Sequence, residues 1–210
     1  MKRITVLAAV AALFLWTGAA GAQSFVIGAH GGMASPQGDF SSTSGTEAGG
    51  GLTGLNVGVD ALYSLESVLP KLSWYSSLDF VRNPIAGSLP DRAGAFVDGT
   101  YYFVPLMTGI RYDLAPGVPA LFFTAQAGLV FARGPERLYP WGFGDMSPKL
   151  STAFGYNVGA GFQMTPNLHA GVKYYPLGTV EMEYENAPDP LEQDVSFLEF
   201  HIGVRLFGGG

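Results

Sequence analysis

The sequence predicts an all-β fold, an eight-stranded antiparallel up-and-down transmembrane β-barrel. Three observations carry that reading. Between its two ends the chain repeats, about eight times, a run of roughly ten residues in which apolar side chains alternate with small, polar or charged ones. Such a period of two means a strand with one greasy and one polar face. Glycine supplies 30 of the 210 residues and charged residues only 13%, about twice and about half their usual shares. No stretch beyond the N-terminal segment is apolar enough for a spanning helix, which needs about 20 residues. A membrane chain with those properties is a barrel rather than a helix bundle.

The N-terminal segment reads as a targeting signal. Lys2 and Arg3 form its positive end, Val6 to Trp16 its apolar stretch, and Ala20-Gly21-Ala22 a cleavage site. The apolar run is short for a membrane anchor. Residues 1–22 are therefore expected to be a cleaved signal peptide, and 23–210 a single barrel domain. There is no cysteine. That excludes a disulfide framework, a thiolate nucleophile, a cysteine zinc site and the lipidated cysteine of a bacterial lipoprotein. Without Lys2 and Arg3, nine basic residues face 17 acidic ones, a net charge of −8. This weighs against nucleic acid as a partner, because phosphates call for Lys and Arg.

The candidate strands fall at 24–34, 51–64, 71–82, 100–113, 120–132, 150–164, 167–176 and 195–207. In the first, Phe25, Ile27 and Ala29 point outward and Val26, Gly28, His30 and Gly32 inward. In the second, Leu55, Val57, Val59, Ala61 and Tyr63 oppose Asn56, Gly58 and Asp60. Leu55, Val59, Leu62, Leu65 and Leu69 also repeat there at helical spacing. Gly51, Gly54 and Gly58 each cost a helix about 1 kcal/mol relative to Ala, so strand is preferred. The third sets Leu72, Trp74, Leu78 and Phe80 against Ser73, Ser77 and Asp79. The fourth sets Val104, Leu106, Ile110 and Tyr112 against Gly109 and Arg111. The fifth runs Leu121 to Phe131 outward at every second residue, opposing Thr124, Gln126 and Gly128. The sixth sets Phe154, Tyr156, Val158, Ala160 and Phe162 against three glycines, Asn157 and Gln163. In the seventh, Leu168, Ala170, Val172 and Tyr174 oppose His169, Gly171 and Lys173. The eighth shows the pattern best: Leu198, Phe200, Ile202, Val204 and Leu206 on one face, Glu199, His201, Gly203 and Arg205 on the other. This register puts Phe207, ahead of Gly208-Gly209-Gly210, on the inner face.

Connections alternate in length. Those near 65–70, 114–119 and 165–166 are short and hold turn residues such as Pro70, Pro116-Gly117 and Pro166. Those at 35–50, 83–99, 133–149 and 177–194 are long and rich in Gly, Ser, Pro and acids. Barrels of the bacterial outer membrane have short periplasmic turns and longer outer loops. Tyr63, Trp74 and Tyr112 gather on the turn side, and Tyr101, Tyr102, Phe131, Tyr174 and Tyr175 on the loop side, where interfacial girdles sit.

Eight strands enclose only enough space for side chains. The inward charges are Asp60, Asp79, Arg111, Lys173, Glu199 and Arg205. Both signs occur on different strands, so they can pair across the lumen as a structural charge network, since unpaired buried charge is costly. Lys173 is the nearer cation for Glu199 in strand order, and Asp60 and Asp79 are the acids offered to Arg205. A narrow polar path for ions is the alternative. His30, His169 and His201 share the inner phase. None has the close spacing of a zinc motif and their strands need not be adjacent, so no metal or cofactor is expected. No G-x-S-x-G elbow is present, and loop serines such as Ser41-Ser42-Thr43-Ser44 sit in low-complexity contexts, so no catalytic residue is assigned. The last long loop gathers Glu181, Glu183, Glu185, Asp189, Glu192 and Asp194 without a base. It reads as a solvated, self-repelling loop, with surface cation binding as the sharper alternative.

Signal segment, eight alternating runs and a last strand ending Arg205-Leu206-Phe207 resemble the bacterial outer-membrane barrel family of OmpA/OmpX-like and opacity-related surface proteins. Leu106-Met107-Thr108-Gly109-Ile110-Arg111-Tyr112 and Tyr156-Asn157-Val158-Gly159-Ala160-Gly161-Phe162-Gln163 carry the resemblance most clearly. It implies a monomer in the outer membrane, with membrane lipid and the barrel-insertion machinery as partners and no cofactor. Its role is then structural or a surface interaction of the adhesin or opacity kind, and the surface ligand is not named. The rivals are a narrow porin-like channel, a lipid-modifying outer-membrane enzyme, and a soluble periplasmic barrel with its greasy face inward.

Overall fold

A computed structural model describes residues 25–44, 48–86, 96–114, 118–135, 137–139, 147–185 and 190–208. Residues 1–22, the expected signal peptide, and Asp189 lie outside them. Strands are β1 Phe25–Pro36, β2 Gly54–Ser64, β3 Leu72–Pro84, β4 Phe96–Asp98, β5 Thr100–Asp113, β6 Ala120–Arg133, β7 Arg137–Tyr139, β8 Ser151–Gln163, β9 Leu168–Met182 and β10 Leu191–Gly208. Eight of them close into a barrel in the order β1-β10-β9-β8-β6-β5-β3-β2, and each neighbouring pair is antiparallel. The short β4 and β7 pair separately and tie two loop-side connections together.

The period of two decides which side chains go where. Leu55, Val57 and Val59 are exposed while Asn56 and Asp60 are buried, so β2 is a strand and its helical spacing is incidental. The same inversion of ordinary globular patterning runs round the barrel. Large apolar side chains cover the outside and polar ones fill the turn-side half of the inside, which gives the molecule the lipid-facing exterior of a membrane barrel. Polar groups on the outside serve one another. The Trp74 indole donates to Ser76 Oγ at 3.1 Å, and Ser76 Oγ meets Thr108 Oγ1 at 2.8 Å. An unbonded hydroxyl in an apolar medium would be costly.

Two register breaks depart from simple alternation. Between β1 and β10 the pairing passes from Ile27↔Phe207 to Gly28↔Arg205. Leu206 is the extra residue of a β-bulge, which restarts the alternation. Phe207 is therefore turned outward at 70% exposure, beside an exposed Leu206, instead of inward. Between β9 and β10 the pairing skips from Val195↔Gly178 to Ser196↔Pro176, and Gly178 has φ +67°. Above that bulge the hairpin continues to Met182 and Leu191. Much of 177–194 is thus strand, not loop. Glu181, Glu192 and Asp194 point out while Val180, Met182 and Gln193 point in.

The interior has two storeys. Toward the loop end lies an apolar cluster that includes Val81, Tyr101, Phe103, Met107, Val130, Tyr175, Val180, Met182 and Phe197, joined by Phe40 from the β1–β2 connection. Toward the turn end lie the buried charges and the amides of Asn56, Gln126, Asn157 and Gln163, while Asn83 and Gln193 sit with the loop-end cluster. Tyr101 and Tyr175 are fully buried inside, so they belong to this cluster and not to the girdle. Tyr102, Phe131 and Tyr174 do face outward.

The outward face of β10 gives a direct test of the lipid reading. Ile202 is 60% exposed near the middle of the apolar run from Leu198 to Phe207. Ile202→Arg is expected to cost about 2–4 kcal/mol, the range for a base at the bilayer midplane. Reversible unfolding from lipid vesicles measures it. An unchanged stability would place that face in water or protein.

Candidate functional site

The lumen charges come together because neighbouring strands deliver them at similar heights. Lys173 on β9 and Glu199 on β10 are direct cross-strand partners, with Nζ 3.6 Å from Oε1. Lys173 also reaches across the lumen to β3, where its Nζ lies 3.8 Å from Asp79 Oδ1. Asp79 accepts from Ser77 Oγ at 2.9 Å and from the Tyr175 hydroxyl at 3.3 Å. On β1, His30 faces two carboxylates. Its Nδ1 lies 3.2 Å from Asp60 Oδ2, and its Nε2 lies against Asp79 Oδ1. With a proton on each nitrogen the ring donates to both. His201 Nδ1 lies 2.9 Å from Glu199 Oε1.

A second group sits nearer the turn end. Arg111 donates to Asp113 Oδ1 at 2.8 and 3.1 Å and to Gln163 Oε1 at 3.1 Å. Its guanidinium stacks 3.7 Å above the Phe122 ring. Arg205 donates to the same Gln163 oxygen at 3.2 Å. Its partner is thus an amide rather than Asp60 or Asp79. The expected partner failed because the β1–β10 bulge and the strand stagger set the height of Arg205, and neither is written in the spacing.

The three histidines are neighbours. His30, His201 and His169 lie on β1, β10 and β9, which are consecutive round the barrel. Ring centroids are 5.1 Å apart for His30–His201 and 5.8 Å for His169–His201. Gly203 makes room for them, since a Cβ there would enter the His169 ring and lie 3.1 Å from His30 Cβ. His30, Asp79 and Glu199 bring possible ligand atoms within 4.8 Å of one another. The Lys173 ammonium already lies against both of those carboxylates, so the cluster carries its own cation.

The loop end is closed by aromatic packing. Phe40, in the single turn of 3-10 helix Gly38–Phe40, inserts edge-on against Tyr101 and Phe103, with centroids at 5.0 and 5.7 Å. The Tyr101 hydroxyl donates to Gly49 O at 2.9 Å, which ties the far side of the same connection. Below them Tyr175 and Phe197 stack at 4.7 Å. Sequence reasoning missed this layer. Carrying the period of two from Arg111 back to Tyr101, and from Lys173 on to Tyr175, would have turned both tyrosines inward. For Phe40 the only signal is one large apolar residue in a polar connection flanked by glycines.

Neither a protein-family model nor a curated protein matches this sequence. Among solved structures the chain is similar to Neisserial surface protein A, with 19% identity and a TM-score of 0.53 over 89% of this chain and 99% of that one. It also aligns with Ail, the attachment invasion locus protein of Yersinia pestis, at 15% identity and TM-score 0.48 over 88% of this chain and 97% of that one. OprG of Pseudomonas aeruginosa aligns at 8% identity and TM-score 0.43, over 88% of this chain and 94% of that one. The likeness to the Neisserial protein is one of fold. The chain has the fold of the small eight-stranded outer-membrane barrels.

Proposed function

We propose that the protein is a monomeric barrel of the bacterial outer membrane with a structural or surface-interaction role, performed by its outer rim and not through its lumen. One observation carries this reading. The lumen is filled at two levels, by the charge network of Asp60, Asp79, Lys173 and Glu199 with His30 and, above it, by the aromatic layer sealed by Phe40. Side chains so packed oppose a continuous column of water through the described residues. What remains for contact with other molecules is the loop end, where the β4–β7 ribbon and the β9–β10 hairpin stand beyond the apolar belt. The long connections then face the outside of the cell and the short turns the periplasm.

One observation favours a narrow channel instead. The buried amides of Asn56 and Asn157 find no hydrogen-bond partner among the described residues, and polar groups so placed are usually served by water. The aromatic layer above them argues against a continuous path. Two measurements test the reading. Planar-bilayer recordings are expected to show no steady conductance. Protease added to whole cells is expected to cut within 83–99 and within 183–190, between the ends of β9 and β10, while 114–119 and 165–166 stay protected. Steady conductance would move the assignment to a channel. Cutting only after the outer membrane is opened would reverse the topology, and altered lipid A on expression would bring forward a lipid-modifying enzyme.

A further inference from the structure

The bases of the mature chain are unevenly placed. Arg111, Lys173 and Arg205 line the lumen, and Lys71 lies in a short turn. The other five, Arg82, Arg92, Arg133, Arg137 and Lys149, all fall between residues 82 and 149, a stretch that also holds Asp91, Asp98, Asp113, Glu136 and Asp145, whereas 177–194 has acids and no base. Across the barrel stands the acidic β9–β10 hairpin. The register sharpens the contrast. Arg82 on β3 is paired with Tyr102 on β5, and Tyr102 is paired with Arg133 on β6. All three side chains lie on the outward face, with both arginines exposed. Strands lie about 4.8 Å apart, so the two arginines flank one tyrosine across about 10 Å. Among the described residues, no carboxylate forms an ion pair with either.

Their height is that of lipid headgroups. Directly below in the same columns are the outward Phe80, Val104 and Phe131, and the Phe80 and Tyr102 rings lie 5.9 Å apart. From Leu72, at the turn end of β3, to Arg82 is about 33 Å of strand. A tilt of about 40° reduces that to about 25 Å, the height of the apolar band. The guanidiniums therefore emerge where the acyl region ends and phosphates begin. A guanidinium presents a planar fork of donors that matches phosphate oxygens two at a time. A tyrosine at the same level keeps its ring in the acyl region and its hydroxyl in the headgroups.

We propose that Arg82, Tyr102 and Arg133 form a binding site for the phosphate of an anionic lipid in the outer leaflet. This rests on the outer-membrane reading above. It makes the β3–β5–β6 face the one that holds lipid headgroups, while the acidic hairpin opposite repels them.

The test uses the full mature barrel refolded into phosphatidylcholine vesicles containing bis-phosphorylated lipid A, or the same lipid A with its phosphates removed. Phosphorylated lipid A is expected to raise the urea midpoint of the wild type. It should also bind the wild type about tenfold or more tightly than an Arg82→Gln/Arg133→Gln variant, the effect of losing charge-assisted hydrogen bonds. Lysine at both positions keeps the charge but not the fork and should bind with intermediate strength. Lys71→Gln, in the turn at the far end, should bind like wild type. Equal binding by the double glutamine variant, or equal binding of dephosphorylated lipid A, overturns the proposal. So does binding of inorganic phosphate to the detergent-solubilised barrel that depends on the same arginines, which would make the site one for soluble phosphate. Failure of the wild type to insert into any vesicle overturns the membrane reading itself.

Discussion

Glu199→Gln is expected to cost the folded barrel about 3–5 kcal/mol, the usual cost of leaving one member of a buried ion pair uncompensated. Glu199 has no exposed surface and Lys173 only 2%, so solvent cannot screen what is lost. The charged neighbours decide how that loss divides. Lys173 retains Asp79 at 3.8 Å in the variant, which softens the effect. Lys173→Met alone removes the ammonium from two carboxylates at once and is therefore expected to cost more than Glu199→Gln. Adding Lys173→Met to Glu199→Gln should restore part of the combined loss, because Asp79 still has His30, Ser77 and Tyr175. A double-mutant cycle in reversible unfolding from lipid vesicles measures the coupling. Purely additive costs would mean that the two side chains are neighbours without being a pair.

Much of this architecture can be read from alternation alone. Seven of the eight barrel strands begin and end within four residues of an alternating run, because an apolar face toward lipid and a small or polar face toward a narrow lumen leave few other choices; β9 runs six residues beyond its own. Where alternation is interrupted, the reading fails. The extra residue at Leu206 turns Phe207 from the inner face to the outer. The bulge near Gly178 likewise lets a hairpin continue through what reads as an acidic loop. Alternation also names the residues that share the lumen without saying which of them meet. Lys173 and Glu199 are direct cross-strand partners, so neighbouring strands bring them together. Arg205 and Gln163 lie on strands separated by β9, and their contact depends on stagger and side-chain reach. The three histidines look unrelated in sequence, because closure alone makes β1 and β10 neighbours.

Phe40→Ala should uncouple the two storeys of the lumen. Truncating a buried phenylalanine typically costs about 3–5 kcal/mol, and Phe40 has no exposed surface. Its contacts, however, join the β1–β2 connection to the barrel mouth. None of the eight barrel pairings involves it. The loss is therefore expected to fall on local opening of that connection and not on the barrel as a whole. Hydrogen exchange and protease cutting within 37–51 should increase sharply while the urea midpoint of the barrel moves little. Conductance should stay at the wild-type level, because the Tyr175–Phe197 stack and the Lys173 cluster still fill the lumen below. A variant that conducts would show that Phe40 alone holds the passage shut. The protein would then be a gated channel, and the charges beneath Phe40 would line its path instead of plugging it.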